Sequence, residues 1–201
     1  MLSLDHLAVS GSTLALAVSH LESSLGVASI PGGHHQVFGT HNRLIGMADG
    51  LYLEAIAIDP VAPPPLRPRW FGLDIFKGQA RLTNWICRVP DLDAALERWP
   101  EAGEAVDLER GDLRWRMAVP RSGQLPFDEM FPALIEWQVP VTPGESLPGS
   151  GCTLEQLVVT HPEAETLRDL LEISDERIVF DTGASCLSAQ IATAGGIRTL
   201  T

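Results

Sequence analysis

Three segments of the chain superimpose without gaps: Leu4-Asp5-His6-Leu7-Ala8-Val9-Ser10, Leu82-Thr83-Asn84-Trp85-Ile86-Cys87-Arg88 and Leu154-Glu155-Gln156-Leu157-Val158-Val159-Thr160. Each has the composition of a strand, and each precedes apolar residues at helical spacing. Leu14, Val18, Leu21 and Leu25 predict a helix over 12–26, with Ser12 as its cap and Gly26 as its stop. Asp91 caps a second, short helix carrying Leu92, Ala95, Leu96 and Trp99, and a third is expected from Pro162 to Ile173. The strands that close the first two units also match, Leu53-Glu54-Ala55-Ile56 against Ile135-Glu136-Trp137-Gln138. A recurring strand–helix–strands unit predicts an α+β fold. Residues 1–201 are expected to form a single domain of repeated β-α-β-β-β modules, at about 2–60 and 80–140 with a partial third at 152–195. Their curved mixed sheets would enclose a cleft, with the helices outside. Pro31-Gly-Gly-His-His reads as a loop, and Asp49-Gly50 as a two-residue hairpin turn between strands at 36–47 and 51–58.

The 201 residues include 14 Lys+Arg and 26 Asp+Glu, a net charge of -12, with 45% hydrophobic residues. That composition supports a packed core rather than disorder. Its acidity argues against nucleic acid and anionic membranes as partners, because phosphate binding needs clustered Lys and Arg. Three cysteines without a CxxC point to a reducing compartment. With no long apolar run and no signal-peptide pattern at the N-terminus, a cytoplasmic protein is expected.

Strand alternation puts His6 on the face opposite Leu7 and Val9, looking into the cleft. Glu54 stands in an otherwise apolar strand, where a carboxylate needs a metal ion, a cation or a hydrogen-bond donor. Its match Glu136, or Glu54 itself, is the candidate base, and Trp137 should face the side opposite Glu136. Asn84 and Gln156 occupy the positions equivalent to His6, so His6, Glu54, Asn84 and Gln156 are candidate ligands for Mn, Fe, Ni or Zn. The alternative is a neutral ligand cavity with hydrogen-bonded carboxylates. His41, Asn42 and Arg43 form the densest polar cluster. His41 is a candidate acid/base or ligand, and Asn42 and Arg43 candidate substrate contacts, or else Arg43 simply pairs with Glu54. A two-residue turn would set His41, Arg43 and Ile45 on the face of Glu54; a shift of one residue would set Asn42 and Leu44 there. His34-His35 is either a lid contributing a ligand or an exposed turn, and Trp70 and Phe71 are candidate wall residues at the pocket mouth. No phosphate loop, nucleophile elbow or HExxH is present.

Leu4-Asp-His-Leu-Ala-Val, Pro31-Gly-Gly-His-His, Gly39-Thr-His-Asn-Arg-Leu and Tyr52-Leu-Glu together resemble the glyoxalase-like domain family of the vicinal oxygen chelate superfamily. The resemblance spans about residues 2–195. It implies paired β-α-β-β-β modules, with metal ligands from the first and last strands of each: His6 and Glu54, then Asn84 and Glu136. Asn84 departs from the stronger ligand usual there, and Gln156 is the substitute if the third unit pairs with the first. The implied function is binding of a small oxygenated molecule in the cleft, as a metal-dependent lyase, isomerase or dioxygenase. The alternative is a non-catalytic sequestering protein of the bleomycin-resistance type. Dimerisation often completes such a cleft, so a homodimer is one expected assembly and internal completion by the third unit the other.

Overall fold

In the computed structural model, which describes residues 1–201, the repeat becomes a symmetry. Strand β1 (Ser3–Ser10) runs antiparallel to β5 (Arg81–Arg88), and Leu7 lies opposite Trp85, its repeat equivalent. Both are fully buried. The first unit continues through α1 (Leu14–Leu25), β2 (Ile30–His35), β3 (Thr40–Met47) and β4 (Tyr52–Ile58). The second continues through α2 (Leu92–Arg98), β6 (Glu104–Arg110), β7 (Leu113–Val119) and β8 (Ala133–Trp137). Their strand orders, β2-β3-β4-β1 and β6-β7-β8-β5, mirror one another, so the two units meet edge to edge in one curved sheet. A short helix α3 (Pro143–Ser146) leads to β9 (Gly149–Thr160), α4 (Ala164–Leu171), β10 (Ile178–Asp181), β11 (Cys186–Thr193) and β12 (Gly196–Leu200). Here the strand after the helix, β10, lies directly beside β9 and parallel to it. The third segment therefore matches the first two in sequence but not in topology. It extends the sheet through a brief parallel contact of β9 with β3. No helix is long and apolar enough to cross a membrane.

Local chemistry explains the element ends. Thr13, one residue beyond Ser12, caps α1 by accepting from the Leu16 N–H, and Gly26 closes it at φ 70. Asp91 caps α2 through the Ala94 N–H at 3.0 Å. Pro31–His35 is a strand rather than a loop. It pairs only with β3, and an edge strand can spare the N–H that Pro31 lacks. The β3–β4 connection is a three-residue turn, Ala48–Gly50, with Asp49 at φ 60. The extra residue sets Leu44, not Ile45, opposite Glu54.

Candidate functional site

That register decides which side chains meet. Asn42 and Leu44 share the concave face with Tyr52, Glu54 and His6, and all five border one cavity of about 30 Å³. His35 and Arg110 complete its polar lining, while Trp70, Phe71, Trp115 and Trp137 form much of its apolar wall. His6 stacks on Tyr52 at 4.3 Å, and Trp70 stacks on Phe38 at the same centroid distance.

Asp5, His6 and Glu54 form a buried line. Asp5 Oδ1 lies 2.7 Å from His6 Nδ1, and His6 Nε2 lies 3.7 Å from Glu54 Oε2. Asp5 also accepts from Trp137 Nε1 at 3.0 Å. Alternation would turn Asp5 away from His6, but the β1–β5 ladder slips between Leu4 and His6, and this bulge re-aims the carboxylate. Asn42 Nδ2 donates to Glu54 Oε1 at 2.5 Å, while Asn42 Oδ1 accepts from Gly33 N–H and from Arg110 Nη1. A side chain at Gly32 would collide with Asn42 Oδ1, and one at Gly33 with Arg110, which accounts for the glycine pair. His35 Nε2 faces two donors, Asn42 Nδ2 and Arg110 Nη1, so Nδ1 carries the proton and donates to Thr40 Oγ1 at 3.0 Å.

These contacts sort the charges. Burial opposes an imidazolium at His6, but hydrogen bonds to Asp5 and Glu54, with their negative charge, outweigh it and raise its pKa above the ordinary value. Burial pushes Glu54 upward, yet the adjacent His6, the nearby His35 and the Asn42 amide bring it down to about 2. His35 falls to about 4, chiefly through burial, and is neutral near pH 7. The cavity therefore favours a proton on His6 next to an ionised Glu54.

Several expected site residues lie elsewhere. Glu136 does not face the cavity. The repeat equivalent of Ala8 is Ile86; Ala8 pairs with Glu54 and Ile86 with Ala133, so Ala133 is the structural counterpart of Glu54. Glu136 is offset by an odd number of residues and faces outward. There it accepts from the Leu92 N–H at the start of α2 and from Arg116. Trp137 correspondingly faces inward. His41 and Arg43 lie on the outer face of β3, because of the three-residue turn; Arg43 binds Ser29 through Nε and Nη2. Asn84 is buried but bonds Glu129 at 3.4 Å, and Gln156 pairs with Gln190 in the third unit. Asn42 and Trp70 do line the cavity, and the buried Nε1 of Trp70 has no partner. Asp5 and Arg110 had no decisive sequence signal, and the sequence left His35 open between a ligand-bearing lid and an exposed turn.

A second cavity of about 370 Å³ lies beyond Phe71, bordered by Arg81, Glu129 and Cys186. Phe127, Asp128 and Glu129 all have left-handed backbone, at φ 53, 52 and 72. Burial raises Glu129 to about 7. Because the folded pKa lies above the unfolded value, Glu129 subtracts stability as pH rises from 4.5 through 7. Glu129→Gln should therefore raise the melting temperature at pH 8 by roughly 4–8 °C, corresponding to about 2 kcal/mol after allowance for partial exposure. Thermal melts at pH 8 and pH 4 check this; the gain should vanish at pH 4, and an equal gain at both would refute it.

Two mirrored strand–helix–strand units around a polar-floored cavity define a paired-module α+β protein. A family model for the glyoxalase-like domain matches residues 4–173. The chain belongs to that glyoxalase-like domain family. It matches no curated protein. Among solved structures it resembles a hypothetical protein from Staphylococcus aureus, at 15% identity and TM-score 0.62, covering 99% of this chain and 98% of that one. That likeness concerns the fold. Methylmalonyl-CoA epimerase from Mycobacterium tuberculosis aligns at 18% identity and TM-score 0.40, over 67% of this chain and 85% of that one. A variant of the Streptomyces coelicolor methylmalonyl-CoA epimerase, in complex with 2-nitronate-propionyl-CoA, aligns at 17% identity and TM-score 0.42, over 71% of this chain and 100% of that one.

Proposed function

We propose that the cavity binds a small oxygenated anion and catalyses proton transfer at a carbon next to its carbonyl, as an isomerase or lyase of cytoplasmic type. The observation that carries this reading is the buried Asp5–His6–Glu54 line opening on the cavity. Its free space suits a ligand of only a few non-hydrogen atoms, since a single water needs ~10–15 Å³. Arg110 supplies a guanidinium for a carboxylate, and the free indole N–H of Trp70 a donor for a second oxygen. His6, oriented by Asp5, donates to the oxyanion that develops as the carbon loses its proton. Glu54 is the base. A substrate oxygen that takes over the His6 proton removes part of what holds Glu54 so acidic, so binding itself raises its basicity.

The four residues expected to ligate a metal do not converge. His6 and Glu54 meet, but Asn84 is held by Glu129 and Gln156 lies in the third unit. The Arg110 guanidinium adds positive charge at the same cavity. This donor set does not fit the four-ligand centre.

Deuterium wash-in tests the reading. A panel of two- to four-carbon 2-oxo and 2-hydroxy acids, incubated with the protein in D2O and followed by proton NMR, should show exchange at the carbon beside the carbonyl for at least one member. The exchange should disappear with His6→Asn. A panel member that raises the melting temperature without exchanging would favour a sequestering protein instead.

A further inference from the structure

The β2–β3 hairpin has a second chemical face. Alternation turns His35 and Asn42 into the cavity and their neighbours His34 and His41 outward, where these two form a cross-strand pair. Asp59, the residue after β4, comes up beside them, with its Oδ2 2.6 Å from His34 Nδ1. One ligating atom from each of the three lies within 4.8 Å of the others. The Nε2 of His41 is buried and has no hydrogen-bond partner. A hydrogen bond between His34 and Asp59 alone would leave that nitrogen unexplained.

We propose that His34, His41 and Asp59 form a divalent-metal site on the outer face of the hairpin. Two imidazoles and one carboxylate favour a borderline first-row cation such as Zn²⁺ over the oxygen-seeking Mg²⁺ or Ca²⁺. The ion takes the place of the proton now held between His34 and Asp59, and any proton on His34 is released to solvent as it binds. Bonds of about 2.0–2.2 Å set tetrahedral ligands about 3.3–3.6 Å apart, so the pair must part by roughly 1 Å. The side chain of His34 is 67% exposed and has room to swing out. Solvent on that side supplies the remaining coordination positions. The ion would tie the end of β4 to the hairpin that presents His35 and Asn42 to the cavity. It would thus brace the cavity wall without entering the cavity, whatever reaction occurs there.

Calorimetric titration of tag-free, chelator-stripped protein with Zn²⁺ tests this. Saturable binding near one ion per chain is expected, together with a zinc-dependent rise in melting temperature. His34→Ala changes an exposed side chain and should fold normally, and Asp59→Asn keeps the shape of a buried one. Each should weaken Zn²⁺ binding at least a hundredfold, while His6→Asn and Glu54→Gln leave it unchanged. Absence of saturable binding would overturn the proposal, as would undiminished affinity in His34→Ala and Asp59→Asn. Loss of binding in Glu54→Gln would place the ion in the cavity and overturn it equally.

Discussion

Glu54→Gln is expected to slow the deuterium exchange by about 10²–10⁴-fold, the range for loss of a positioned general base. The substitution is nearly isosteric, and its amide oxygen can still accept the Asn42 N–H that now reaches Glu54 Oε1. What disappears is the charge, which lies 3.7 Å from His6 Nε2. The pKa of His6 should therefore fall from its raised value, since one of the two carboxylates sustaining it is gone. Stability near pH 7 should fall as well, because the depressed pKa of Glu54 means that its charge favours the folded state there. Rate and His6 titration, measured together by NMR, separate this outcome from simple unfolding. An unchanged exchange rate would remove Glu54 from the mechanism. In the unsubstituted protein the rate should be flat in mild acid, where His6 is protonated and Glu54 ionised. It should decline as pH rises through the His6 pKa.

The difference between what was legible in the sequence and what was not lies in strand register. Period-two alternation and the helical spacing of Leu14, Val18, Leu21 and Leu25 are local, so the module and the inward placement of His6 and Glu54 could be read directly. The face of β3 depended on one turn residue. Asp49 in left-handed conformation lengthens the hairpin connection, and this moves His41 and Arg43 out and Asn42 in. Glu136 matched Glu54 in a gapless alignment, yet the β5–β8 pairing carries a different offset from β1–β4. The carboxylate was free to serve instead at the start of α2, where a negative charge is favoured. Asp5 was hidden by a bulge, and a bulge has no composition of its own. Arg110 reaches the cavity from the far end of the second unit, a distance that no local pattern encodes.

Asp5→Ala should be the most destabilising single change at the site, costing about 3–5 kcal/mol, as when one partner of a buried ion pair is removed. Asp5 is 1% exposed and satisfies two donors at once, the buried His6 Nδ1 and the half-buried Trp137 Nε1. Its loss leaves the indole N–H without an acceptor and His6 with only Glu54 to support its proton. For a chain of this size the melting temperature should drop by roughly 6–20 °C. The pH dependence distinguishes this cause from a mere cavity. The raised His6 pKa contributes stability that is fully present below pH 6.5 and lost as pH rises through the folded value. In Asp5→Asn, which keeps the volume, that decline should be shallower and displaced to lower pH. A parallel loss of stability at every pH would mean that Asp5 only fills space. It would also leave His6 without the residue that orients its ring, and the proton-transfer reading with it.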